Sequence, residues 1–177
     1  MSLQHVNAVA NRLSLRPPQR ESLLILDRLC EIVDFQKTTD MAEALKVIQS
    51  EFPSVLDFER DFPSLCFALA TGVGKTRLMG AFISYLYRAE GIRNFFVLAP
   101  NLTIYNKLFA DFTPNTPKYV FQGISEFAME PPEIITGDNY ESGRGIRGGR
   151  LFDDGVHINL TKDEVRDLPA VAIDHDV

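Results

Sequence analysis

Thr71-Gly72-Val73-Gly74-Lys75-Thr76 is the stretch of this chain with the clearest chemistry. Its two glycines let the backbone bend through positive φ, where a Cβ would obstruct, so that several N–H groups can converge on one anion. The lysine adds a mobile cation for β- and γ-phosphates. The threonine hydroxyl can ligate magnesium at the start of a helix, where the dipole also favours an anion. An apolar run at 65–69 precedes the stretch and an amphipathic segment at 77–89 follows it. Strand, glycine turn, Lys-Thr and helix together are the build of a loop that holds a nucleoside triphosphate with magnesium. One position departs from the full pattern, which has glycine where this chain has Leu69. The competing reading is a tight strand-to-helix turn with an incidental lysine.

Two further segments bear on the class of nucleotide protein. Leu15-Arg16-Pro17-Pro18-Gln19 stands ahead of an amphipathic stretch. A glutamine amide can donate to and accept from the N6 and N7 edge of adenine, and prolines beside it would fix its pose. Val97-Leu98-Ala99-Pro100-Asn101-Leu102-Thr103 reads as a buried strand ending in a proline turn and a helix start, where small polar groups and free N–H groups can grip a nucleic-acid phosphate. Taken singly, Gln19 also fits a solvated helix-start residue and Asn101 a helix cap. Two other classes fail on their signatures. Asn106-Lys107-Leu108-Phe109 lacks the aspartate of a guanine-reading element, and Arg147-Gly148-Gly149-Arg150 does not match a transporter-type Ser-Gly-Gly-Gln.

The elements that must position these residues follow from periodicity. Residues 1–14 have weak periodicity and read as a frayed helix or arm. Leu23, Leu26, Leu29 and Val33 recur at helical spacing, predicting a helix over 19–34 that Pro17 and Pro18 start. Further helices are predicted over 40–49, 75–89 (closed by Gly91) and 103–112. Strands are predicted over 65–69, 95–99, 118–122, 133–136 and 156–160, with 95–99 apolar enough to be covered on both faces. The expected fold is α/β, a mostly parallel sheet with helices on both faces. The expected layout is an N-terminal helical segment over 1–60, a nucleotide-binding core over 61–160 and an acidic tail over 161–177. The loop at 142–150 carries Arg144, Arg147 and Arg150, which read as a solvated loop or as phosphate contacts.

Bulk properties set the outer bounds. With 177 residues, 45% of them hydrophobic, the chain can bury one proper core. Its net charge of −6 offers no global field for a polyanion, so any nucleic-acid contact must come from a local patch. Cys30 and Cys66 are the only cysteines; Cys66, mid-strand, reads as a buried free thiol. No apolar run is long enough for a membrane span, and the N-terminus lacks a signal-peptide core, which fits a cytoplasmic protein without a membrane partner.

On these motifs the chain resembles the first RecA-like motor lobe of superfamily-2 DEAD/DEAH-type helicases and translocases, and within them the ATPase subunits of type III restriction enzymes. The resemblance covers about residues 15–160. It implies that Gln19 reads adenine, that Thr71, Gly72, Val73, Gly74, Lys75 and Thr76 hold ATP, and that Lys75 and Thr76 serve the reaction, Thr76 as the Mg2+ ligand. It also implies that Pro100, Asn101 and Thr103, together with Thr136 and Gly137, contact double-stranded DNA. Such a motor needs an acidic pair after a later strand, one carboxylate for magnesium and a glutamate for the attacking water. No Asp-Glu-x-His is present; the nearest run, Ala170-Val171-Ala172-Ile173-Asp174-His175-Asp176, has histidine where the glutamate belongs. The second motor lobe and its arginine finger are also absent. The expectation is a truncated ATP-binding lobe that hydrolyses little alone and works with a second chain, either the missing lobe or a modification subunit. The alternatives are a free-standing phosphate-loop kinase of a small metabolite and a non-catalytic, nucleotide-stabilised interaction module.

Overall fold

The apolar run after Gly91 becomes the central strand, β1 (Asn94–Ala99). A computed structural model describes residues 2–35, 38–140, 155–162 and 171–173. Within them, β1 pairs in parallel with β3 (His157–Lys162), and β3 in parallel with β2 (Glu133–Ile135). β4 (Val171–Ile173) lies antiparallel on the other edge of β1, giving the order β2-β3-β1-β4. The fold is thus α/β with a mostly parallel sheet. In register, Phe95 faces Ile158 and Val97 faces Leu160, and all four are buried. Coverage on both faces of β1 is not what the structure shows: Phe96, on the other face, is 38% exposed, so burial alternates along the strand.

Helices supply the rest of the core. α1 (Ser2–Arg12) is a packed helix and not a frayed arm: Val6, Val9, Ala10 and Leu13 recur at i, i+3, i+4 and i+7, and all are buried. They share one cluster with Leu23 of α2 (Pro17–Ile32), with Phe95 and Val97, and with α4 (Lys75–Glu90). α4 is buried on most of its girth, through Leu78, Ala81, Ile83, Tyr85 and Leu86, and ends at Gly91 in a left-handed turn as expected. A second, smaller cluster joins Leu29 and Val33 to Ala44 and Ile48 of α3 (Met41–Glu51), a helix capped by the Asp40 carboxylate, which accepts from the Ala42 and Glu43 N–H groups. α5 (Leu102–Phe112) packs on β1 and β3 through Leu108 and Phe112. Two short helices complete the set, α6 (Ser125–Met129) and α7 (Gly137–Tyr140).

Two predicted strands are absent. Residues 65–69 form neither helix nor strand, with Leu65, Phe67 and Leu69 half-buried and Cys66 and Ala68 exposed, and they belong to no ladder among the described residues. The edge of β1 that could receive them carries β4 instead. Phe67 packs edge-on against Phe82 of α4, with ring centroids 4.9 Å apart, so side-chain contact holds a segment that ladder bonds do not. Cys66 is therefore exposed, against the buried thiol expected; Cys30 is the sheltered one, and burial pushes its thiol up to about 12. Residues 118–122 fold as turns in place of a strand, the Val120 N–H donating to the Asp111 carbonyl at 2.9 Å. This tight path lets Phe121 stack on Phe112 and meet Phe127 edge-on in the core. No helix among the described residues is long and apolar enough to cross a membrane.

Candidate functional site

The glycine loop lies between residues 65–69 and α4. Gly72 has φ +83° and Gly74 φ +95°, conformations that L side chains rarely adopt. Gly74 is also the N-cap of α4, and no side chain caps that helix. The first-turn N–H groups of a sixteen-residue helix therefore have no side-chain acceptor, at the end where the dipole favours negative charge. A Cβ on Gly74 would stand 2.7 Å from Gln19 Nε2, so φ calls for glycine and any side chain there would displace the Gln19 amide.

Gln19 is built into this loop. It opens the first turn of α2 after Pro17 and Pro18, is 1% exposed, and uses both ends of its amide. Oε1 accepts from the Arg16 N–H at 2.8 Å, and Nε2 donates to the Gly74 carbonyl at 2.9 Å. An amide oxygen has two lone pairs and an amide nitrogen two hydrogens, so one acceptor and one donor position remain. Around it lies a cavity of about 250 Å³, lined by Ser14, Arg16, Gln19, Gly72, Val73, Gly74 and Arg77. That lining has two arginines and no carboxylate, in a chain whose net charge is −6. Arg77 Nη1 also donates to the Leu13 carbonyl at 2.7 Å, which fastens the start of α4 to the end of α1.

The frame behind the loop is tied by polar contacts. The Tyr85 hydroxyl of α4 donates to Asp27 Oδ1 of α2 at 2.6 Å, with both residues buried. Burial, reinforced by the hydrogen bond to Asp27, pushes the tyrosine's titration well above its ordinary range. Glu126 of α6 meets Arg88 of α4 at 2.8 Å and Arg12 of α1 at 3.6 Å. Burial works against the Glu126 carboxylate, but its backbone and Ser125 hydrogen bonds and the two arginines prevail and hold it below the usual carboxylate range.

Thr76 is partnered from a different element. Lys107 of α5 donates from Nζ to Thr76 Oγ1 at 3.0 Å and pairs with Asp111 Oδ2 at 2.8 Å. Among the described residues no group of three His, Cys, Asp or Glu side chains could hold a metal ion. The hydroxyl keeps a second lone pair and Lys107 is half exposed, so Thr76 could still ligate an ion whose other ligands are phosphate oxygens and water.

The remaining predicted residues sit at strand ends. β1, β3 and β2 are parallel, so their C-terminal ends share one edge of the sheet, the usual ligand edge of an open α/β sheet. Pro100, Asn101 and Thr103 follow β1 there and are exposed. Asn101 caps α5, its Oδ1 accepting from the Ile104 N–H at 3.0 Å. Thr136 and Gly137 follow β2; Thr136 is 6% exposed, its N–H donating to Asn139 Oδ1, while Gly137 is exposed. The cavity brings together Gln19, Gly72, Val73 and Gly74; Thr71, Lys75, Thr76, Thr136 and Gly137 are not part of its lining. Arg144, Arg147, Arg150, Asp174, His175 and Asp176 lie outside the described residues. Sequence reasoning missed Arg16, Arg77, Lys107 and Asp111 as site residues. The i,i+4 spacing of Lys107 and Asp111 was a visible signal of a pair, but nothing local tied it to Thr76.

The family model for type III restriction enzyme, res subunit, matches residues 12–162. No curated protein and no solved structure matches the chain.

Proposed function

The chain belongs to the type III restriction enzyme Res-subunit family, and on that premise we propose that it binds ATP in the cavity beside Gly72 and Gly74 and grips duplex DNA at the C-terminal edge of its sheet. The family makes it an ATP-binding, helicase-like lobe. One observation carries the nucleotide reading: a cavity with two arginines and no acid opens beside an uncapped helix start, in a chain that is acidic overall. In this reading the first-turn N–H groups of α4 and Lys75 hold the triphosphate, and Arg16 and Arg77 add charge along it. Gln19 turns its spare donor and acceptor to the adenine edge.

DNA would lie along the edge formed by Pro100, Asn101, Thr103, Thr136 and Gly137. The Asn101 side chain is committed to its cap and Thr136 is buried, so backbone N–H groups and the Thr103 hydroxyl would make the phosphate contacts. A modification subunit or a second motor lobe is the partner this reading implies, in the cytoplasm. Magnesium accompanies the triphosphate in such ATPases and supplies charge neutralisation there. The Thr76 hydroxyl would help hold it through the lone pair that its contact with Lys107 leaves free.

Calorimetry of ATP binding to the chain and to Lys75→Ala tests the proposal. Loss of one charge-assisted contact should weaken ATP about tenfold or more, while the melting temperature without nucleotide stays within about 1 °C, because Lys75 is exposed. Folded protein that takes up no ATP at millimolar concentration would sink the reading.

A further inference from the structure

We propose that Lys107 reads the γ-phosphate of the bound nucleotide, working beside the metal and favouring a triphosphate over a diphosphate. The inference rests on the ATP-binding reading and deepens it. A phosphate-loop threonine ligates an ion that bridges β- and γ-oxygens, so Thr76 Oγ1 marks the far end of the triphosphate and not the base. Arg16, Gln19 and Arg77 line the cavity, whose lining includes neither Lys75 nor Thr76. The cation that reaches Thr76 comes from a separate element: Lys107 of α5, with Nζ 3.0 Å from Oγ1.

The way Lys107 is held suits a phosphate ligand. An ammonium has three N–H donors. Here one goes to Thr76 Oγ1 and one to Asp111 Oδ2 at 2.8 Å, one helical turn further along α5. With the side chain 51% exposed, the third is open on the solvent side, from which a ligand arrives. Asp111 is the fixed end of the pair: its side chain is 8% exposed, and a carboxylate so sheltered is disfavoured without a counter-charge. Its carbonyl also accepts from the Val120 N–H at 2.9 Å, and buried Leu108 and Phe112 seat the same helix in the core. A lysine ammonium is a compact charge on a flexible stem, so it can turn from the threonine to a phosphate oxygen while the helix stays in place. The Thr76 hydroxyl keeps its second lone pair for the ion, so metal and ammonium meet the γ-phosphate together, from α4 and from α5. ADP carries no oxygens at that place.

Calorimetric titration of the full chain with a non-hydrolysable ATP analogue and with ADP, both in excess magnesium, tests the assignment. Lys107→Met removes the charge and its donors but strands the Asp111 carboxylate. Lys107→Gln combined with Asp111→Asn therefore supplies a neutral, hydrogen-bonding pair, and melting curves identify which variants are folded. Each folded variant should lose about tenfold or more in affinity for the ATP analogue and less than about threefold for ADP. Equal losses for both nucleotides would show that Lys107 only shapes the loop, and unchanged affinity for the analogue would show that no contact forms; either result overturns the proposal. Lys75→Ala separates the two levels of argument. If wild type binds neither nucleotide, or if Lys75→Ala binds both as well as wild type does, the nucleotide reading itself fails. If Lys75→Ala loses both while the Lys107 variants keep the wild-type ratio of affinities, only the role of Lys107 falls.

Discussion

Replacing Gln19 with alanine tests whether this side chain reads a base or only fastens a loop. The change deletes two hydrogen bonds of a residue that is 1% exposed, one to the Arg16 N–H at 2.8 Å and one to the Gly74 carbonyl at 2.9 Å. The Gly74 carbonyl keeps its helical partner, the Leu78 N–H at 3.2 Å, so the loss there is partial. At about 1 kcal/mol for each bond the cost is about 2 kcal/mol. For a domain of this size that lowers the melting temperature by about 4–8 °C. The binding assay compares ATP with GTP. If the spare donor and acceptor of the amide face adenine, ATP affinity should fall about tenfold and GTP affinity by much less. Equal losses for both nucleotides would refute base reading and leave Gln19 as a tether of the glycine loop. No change in melting temperature would refute the hydrogen-bond accounting itself.

Two more substitutions examine the frame. Tyr85→Phe removes the buried donor that joins α4 to Asp27 of α2, and should cost about 2 kcal/mol in denaturant unfolding; a loss below about 0.5 kcal/mol would show that the contact carries little. Glu126→Gln addresses pH. The Glu126 carboxyl is held below its ordinary range in the folded chain, so its contribution is present above the unfolded value and is lost as pH falls through the lower folded one. With Glu126 partly exposed, the variant should be about 1 kcal/mol less stable than wild type at pH 7, and the difference should begin to shrink as pH falls below the ordinary glutamate value of about 4.3. A difference that does not shrink at all as the pH falls would assign it to packing instead of charge.

What the sequence revealed depended on how local the cause was. The helices 17–32, 41–51, 75–90 and 102–112 are amphipathic over their own length and were legible, with Gly91 and Asn101 as caps, whereas Asp40, expected inside its helix, is the residue that caps it. α1 shows the same signal at Val6, Val9, Ala10 and Leu13, diluted by polar residues between them. The failures are non-local. An apolar run at 65–69 has residues that suit a strand, yet becomes one only if a neighbouring edge is vacant, and β4 fills that edge. Tyr119, Val120 and Phe121 enter the core from turns, where aromatic packing outweighs β-propensity. At the site, the glycine-lysine-threonine loop was legible because its conformational demand lies in its own residues. The partners of Gln19 and Thr76 were not, since they stand 55 and 31 positions away along the chain.

The two cysteines differ sharply in setting, and that has a practical consequence. Cys66 faces solvent five positions before Thr71, while Cys30 is sheltered and its thiol is pushed up to about 12. Near neutral pH a maleimide dye should therefore couple at Cys66 and leave Cys30 unlabelled, because the thiolate is the attacking species. The native polypeptide thus carries its own attachment point for an optical reporter, a few residues from the glycine turn, with no engineered handle needed to watch that turn in real time.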